Sequence, residues 1–209
     1  MRLSNDFLAQ LALAGDTSDV IDWAKMRSLD LPALGKNEGC KLLLDAANGV
    51  ALPPAKWNQL VGMTILSGPD KSAIALDADR ARWLDAELSK FLTATKQERS
   101  RMFDTAKSVA NAHTFLAPVD STRAKAERPL IAENLTAGLV YWLQIIFDPA
   151  ADGFAAKLSR CHYSECRAFF FARPARGGVG RPSTRYCSAA HVKLGVLEQA
   201  RQRMKEYRK

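Results

Sequence analysis

CHYSECRAFFFARPARGGVGRPSTRYCSAAH, residues 161–191, is the stretch around which the chain is organised. Three of the four cysteines and two of the three histidines fall inside it. Cys161 and Cys166 form a C-x4-C pair; twenty residues later, Cys187 and His191 form a C-x3-H pair. Two close pairs separated by enough chain to fold back are the simplest way to surround a tetrahedral ion, and Cys3His is an established zinc ligand set. The spacing predicts one structural Zn2+ per chain, held by Cys161, Cys166, Cys187 and His191. The competing readings are unrelated thiols or a Cys161–Cys166 disulfide. His162 also competes for the fourth position, but two ligands adjacent in sequence reach one ion only with strain, which favours His191.

Local signals around the ligands predict how they are held. Ser188 is placed to cap a helix, leaving Cys187 just outside it and His191 in its first turn, both pointing the same way. Phe169–Phe171 and Thr184–Tyr186 flank a Gly- and Pro-rich loop, Pro174 to Pro182, and read as a β-hairpin. Along the last helix, Val192, Val196, Ala200, Met204 and Tyr207 form one stripe expected to pack, with Lys193, Arg201, Lys205 and Arg208 in a basic stripe about 100° around. Gly195 interrupts this helix at a cost of about 1 kcal/mol relative to Ala, and nothing in the sequence explains it. A knuckle, a hairpin and a helix make a treble-clef-like ββα module. Four protein ligands leave no open position to activate water, so the metal is expected to be structural rather than catalytic.

The net charge of +8 is concentrated here: residues 157–209 carry +10, whereas residues 1–156 carry −2. A basic segment of this kind is an electrostatic footprint for polyanions, because each neutralised phosphate releases condensed counterions. The most apolar run, Leu139 to Phe147, falls far short of the roughly 20 residues that span a bilayer, and the N-terminal residues read as an ordinary helix rather than a signal peptide. These features predict a soluble, cytoplasmic protein without a membrane partner, where thiols stay reduced and serve metals.

Upstream, helical spacing and stop signals divide the chain. A first helix starts near Thr17 or Ser18 and ends at Leu31-Pro32. A second runs from about Lys36 to Asn48, with Cys40 as a buried small hydrophobe. Pro53-Pro54 opens a third, closed by Gly68-Pro69. Ser72–Asp77 is a weak strand candidate. Further helices are expected from about Arg80 to Leu92, Gln97 to Phe115 and Leu130 to Phe147, the last nearly apolar on several faces and stopped at Asp148-Pro149. His113 falls on an apolar stripe and reads as a core histidine. The chain is thus mainly α, with a helical domain over 1–152 and a metal module over 153–209. So small a module cannot easily fold on burial alone, and a metal staple suits it.

From Leu158 to about Arg208 the sequence resembles the CGNR zinc-finger family, whose members place a helical ABATE domain before C-x4-C, a hairpin and Trp-Cys-Ser-Met-x-x-Cys-Gly-Asn-Arg. The match is LSRCHYSECRAFFF, 158–171, followed by RYCSAAHVKLGV, 185–196. The resemblance implies that Cys161, Cys166 and Cys187 take the first three ligand positions, with His191 standing in for the fourth Cys. Val192, Lys193 and Leu194 replace the Gly-Asn-Arg. Asn5-Asp6-Phe7 and Asp22-Trp23 extend the resemblance into the helical part. It implies a bacterial transcription regulator whose finger binds DNA and whose larger domain senses a small-molecule effector. With the naming tripeptide absent, DNA binding rests on charge. The candidate contacts are Arg173, Arg176, Arg181, Arg185, Lys193, Arg201 and Lys205, with double-stranded DNA as the expected partner and a homodimer permitted. An interaction module presenting its basic face to an acidic protein is the alternative. No nucleophile–base pair or phosphate loop is present, so an enzyme is not expected.

Overall fold

The computed structural model describes residues 34–61, 73–116, 130–132, 134–150, 153–172 and 185–207. The helix expected between Thr17 and Leu31 lies outside them. Seven helices and two two-stranded antiparallel sheets are seen among the described residues, and the fold is mainly α.

The core is built on α5 (Leu135–Phe147). The Asn134 side chain caps it by accepting from the Ala137 amide at 2.8 Å, and Asp148, preceding Pro149, ends it. Residues on every face of this helix are buried, among them Ala137, Leu139, Trp142 and Ile146, as befits a helix without a polar side. It packs most extensively on α4 (Lys96–His113) and also touches α1 (Lys36–Ala47) and α2 (Pro54–Val61). The crossing with α1 depends on Gly39, because an added Cβ there would fall within 2.6 Å of Trp142 Cε3. Trp142 Nε1 in turn donates to the Leu60 carbonyl at 2.5 Å, tying α5 to α2. Cys40 is fully buried in this core.

Helix α3 (Ala78–Thr93) begins where Asp77 accepts from the Arg80 amide at 3.0 Å. Its stripe of Leu84, Leu88 and Phe91 is buried, and Phe91 stacks on Phe147 with ring centroids 4.3 Å apart. A two-residue turn leads to α4, which opens on a reciprocal capping box between Thr95 and Glu98. His113 is the half-buried last residue of α4.

Three expectations need correction. Leu130–Ala132 is not the start of α5 but a strand, β2, paired with β1 (Thr114–Leu116). The Asn134 cap fixes the helix start downstream, and the sheet takes up backbone groups that a longer α4 and α5 would have used. Ser72–Asp77 supplies only a single bridge, Ile74 to Leu52, among the described residues. Finally, Phe169–Phe171 (β4) pairs with β3 (Leu158–Arg160), and of the expected partner segment the described residues Arg185 and Tyr186 lie in no strand. The Cys161–Cys166 turn is therefore itself the hairpin connection. The ββα order is retained, with β3 and β4 as its strands and α7 (Ala189–Tyr207) as its helix.

This hairpin follows the short α6 (Phe154–Lys157) and is seated on the helical body in three ways. Phe154, Leu158 and Phe169 join the same buried cluster as Leu88 and Ile146. The Asn48 carboxamide mimics a strand edge, donating to the Phe169 carbonyl at 2.9 Å and accepting from its amide at 2.8 Å. The Arg160 guanidinium reaches Asp85 Oδ1 at 2.7 Å, Ser89 Oγ at 2.8 Å and the Arg167 carbonyl at 2.8 Å. The guanidinium presents donors on three separate nitrogens, so it spans three acceptors set apart from one another, where a lysine would have a single nitrogen. No helix among the described residues is long and apolar enough to cross a membrane.

Candidate metal centre

The first ligand pair is shaped by a tight turn. Cys161 leaves β3 with its amide bonded to the Ala168 carbonyl at 2.8 Å, and the Cys166 amide folds back to the Tyr163 carbonyl at 3.0 Å. Arg167 then takes a left-handed conformation, φ 49°, so that the chain can turn into β4. Such a conformation costs a non-glycine residue on the order of 1 kcal/mol. No glycine marks this turn in the sequence, although glycine is its usual sign. The Arg160 bond to the Arg167 carbonyl braces the same point.

The second pair sits at the start of α7. Ser188 Oγ accepts from the His191 amide at 3.2 Å, as the expected cap does. Cys187 lies just outside the helix and His191 in its first turn, bringing Cys187 Sγ and His191 Nδ1 to 3.0 Å. A backbone bond from His162 to the Arg185 carbonyl, 2.9 Å, ties the two pairs together.

All four expected ligands converge. Cys161 Sγ lies 3.7 Å from His191 Nδ1, Cys166 Sγ lies 3.7 Å from Cys187 Sγ, and all four donor atoms fall within 4.8 Å of one another. A tetrahedral ion bonded at about 2.3 Å to sulfur and 2.1 Å to nitrogen spaces its ligand atoms by roughly 3.5–3.8 Å. The set is therefore able to hold a metal ion, and it is the only such group of three or more candidate ligands among the described residues. No disulfide links the cysteines. His162 is outside the group and exposed, with its ring directed at Tyr186 across 6.4 Å.

The electrostatics of the three sulfurs favour a cation. Burial raises the Cys161 thiol, but hydrogen bonds from the Cys187 and Tyr163 amides and from the Cys187 and Cys166 thiols outweigh it and hold Cys161 below the ordinary thiol value. Cys187 moves the other way. Burial, its hydrogen bonds to Cys166 and Cys161 and the negative charge that gathers there push it up to about 12. Three adjacent sulfurs cannot all ionise unaided. A soft cation would remove that repulsion, and amides already aimed at Cys161 would support its thiolate.

Gly195 now has a physical role. It is the only buried residue of α7, and a Cβ added to it would lie 2.6 Å from both Cζ and Oη of Tyr186 and nearer still to Cε1. Tyr186, 5% exposed, lies across the helix at this point with its hydroxyl accepting from Gln199 Nε2 at 3.3 Å. Only a residue without a side chain lets the ring beside Cys187 close against α7.

Beyond Gly195 the helix stands clear. Val196 and Met204 are 51% and 57% exposed, Ala200 and Tyr207 are exposed too, and Val192 is half-buried. The stripe expected to pack is thus mainly in solvent, because the module meets α7 through the Gly195 face alone. Lys193, Arg201 and Lys205 are exposed and lie within one side of the helix; Arg203 is exposed too, but two residues from Arg201 and Lys205 it projects from the other side. Arg185 is exposed at the entry to the helix. Arg173, Arg176 and Arg181 lie outside the described residues.

Comparisons with protein-family models, with curated proteins and with solved structures return no match.

Proposed function

We propose that the chain is a zinc-stapled DNA-binding protein, a cytoplasmic transcription regulator whose C-terminal module contacts double-stranded DNA. The resemblance to the CGNR type belongs to this reading. The metal is assigned as one structural Zn2+ because a tetrahedral three-sulfur, one-imidazole set suits that ion, and because a closed site supports folding rather than chemistry. The observation that carries the nucleic-acid reading is the basic helix. Lys193, Arg201 and Lys205 project from one side of α7, and none has an ion-pair partner among the described residues. Cations left unpaired along an exposed helix suit phosphate contacts.

The test is binding of the zinc-loaded full chain to a labelled random duplex across a salt series, followed by selection of bound sequences from a library. About five phosphate contacts give a log–log salt slope of roughly −4 to −5. Replacing Lys193, Arg201 and Lys205 together by Gln should reduce the magnitude of that slope by about 2.7. Absence of binding to any duplex, or a flat salt response, refutes the reading.

A second reading has its own observation. Leu194, Leu197, Met204 and Tyr207 are exposed on the same helix, and phosphate contacts do not require them. A basic, partly apolar helix face also suits an acidic protein partner. A complex that survives nuclease treatment and is lost on Leu197→Glu favours this alternative.

A further inference from the structure

The long helices α3 and α4, joined by their short turn, line with α5 an open cavity of about 380 Å³ far from the metal cluster in sequence. Trp83, Met102, Ala106, Val109, Leu143 and Phe147 supply an apolar lining. Leu143, Phe147 and Ala106 are buried core residues, whereas Trp83, Met102 and Val109 remain half-exposed, so the core lies open on this side among the described residues. The volume and character match sites for small organic ligands.

Charge is arranged unevenly around the mouth. At the end nearest the α3–α4 turn lie Lys90, Arg101 and Glu98. Glu98 Oε2 is already engaged, accepting from the Thr95 amide and hydroxyl at 2.8 Å each. Lys90 and Arg101 are exposed and form no ion pair among the described residues, although after the Thr95 hydrogen bonds their charge also helps hold the Glu98 carboxyl below its usual value, so this end carries a net charge of one cation. Glu87 is the other carboxylate of the rim, three residues before Lys90 and so about one turn farther along α3. The turn end thus offers two cations and one carboxylate already hydrogen-bonded. The opposite end offers an aromatic ring and aliphatic side chains.

We propose that this cavity binds a small aromatic or branched aliphatic carboxylic acid, its apolar body against Trp83, Met102 and Phe147 and its carboxylate toward Lys90 and Arg101. The inference is independent of DNA binding and of the metal. Apolar surface provides the attraction, and the two cations select an anion over a neutral isostere.

The probe is 4-phenylbutyrate, with 4-phenylbutanol as its neutral counterpart, titrated into the full chain and followed by calorimetry and ligand-observed NMR. The acid is expected to bind, and the alcohol about fivefold or more weakly, the worth of a partly screened charge contact. Ala106→Trp, which fills the cavity, should abolish binding while leaving the far-UV spectrum unchanged. Lys90→Glu with Arg101→Glu changes only exposed residues; it should remove the preference for the acid and leave the alcohol's affinity in place. No binding of either compound to the full chain, equal binding of acid and alcohol, or undiminished binding in the charge-reversed variant would overturn the proposal.

Discussion

Gly195→Ala separates two opposing effects that the structure allows to be weighed. Alanine at an interior helix position is worth about 1 kcal/mol over glycine. Against this, the new methyl would sit 2.6 Å from Cζ and Oη of Tyr186, where carbon atoms pack comfortably at roughly 3.5–4.0 Å. The ring is almost wholly buried beside Cys187, so it must shift by about 1 Å or push the helix away. Overpacking of this kind costs about 1–3 kcal/mol, leaving a net loss of up to about 2 kcal/mol. In a Tyr186→Leu background the offending Cε1, Cζ and Oη atoms are gone, and the gain of about 1 kcal/mol from helix propensity should emerge almost alone. The two substitutions should therefore couple by about 1–3 kcal/mol rather than add. Metal release to an excess of chromophoric chelator, measured on all four proteins of the cycle, reports opening of the module. Expressed as rates, that coupling corresponds to a ratio of roughly 5- to 150-fold between the two backgrounds. If Gly195→Ala slows release in the parent, or if both backgrounds respond alike, the Tyr186–Gly195 contact does not govern this helix.

Other consequences can be checked separately. Elemental analysis of the purified chain should give about one metal ion per chain, falling to near zero in Cys187→Ser, because three ligands leave an incomplete site; metal retained in that variant would refute the ligand set. Asn48→Ala removes both hydrogen bonds to Phe169 and leaves a partly buried backbone pair without them, so urea unfolding should show a loss of about 1–3 kcal/mol. Asp77→Ala should cost about 1 kcal/mol at neutral pH through loss of the α3 cap. Burial raises the Asp77 carboxyl, but hydrogen bonds from the Arg80 amide and guanidinium, with that cation's charge, hold it below the usual value. Its stabilising effect is thus fully present above the unfolded pKa of about 3.9 and is lost as pH falls through the lower folded value, so parent and Asp77→Ala stabilities should converge in acid.

The sequence by itself determined what is local. The start of α7 followed from a side chain that reaches a backbone amide three residues away, for Ser188 caps His191 as expected. The ligand set was legible for the same reason, since each pair lies within five residues and a short turn or one helical turn brings its members together. The concentration of charge near the C-terminus needed only counting. Tertiary structure decided whatever depends on residues far apart in the chain. Phe169–Phe171 has a neighbour in sequence on either side, and its choice of Leu158–Arg160 is fixed in part by Asn48, which is 121 residues from Phe169 and satisfies its backbone. No periodicity reveals that the apolar stripe of α7 stands in solvent, because burial depends on what lies opposite rather than on spacing. Gly195 is the sharpest case. Its cost could be read in the sequence, but its cause is a tyrosine ring that meets the helix only when Cys187 and His191 turn toward the same point.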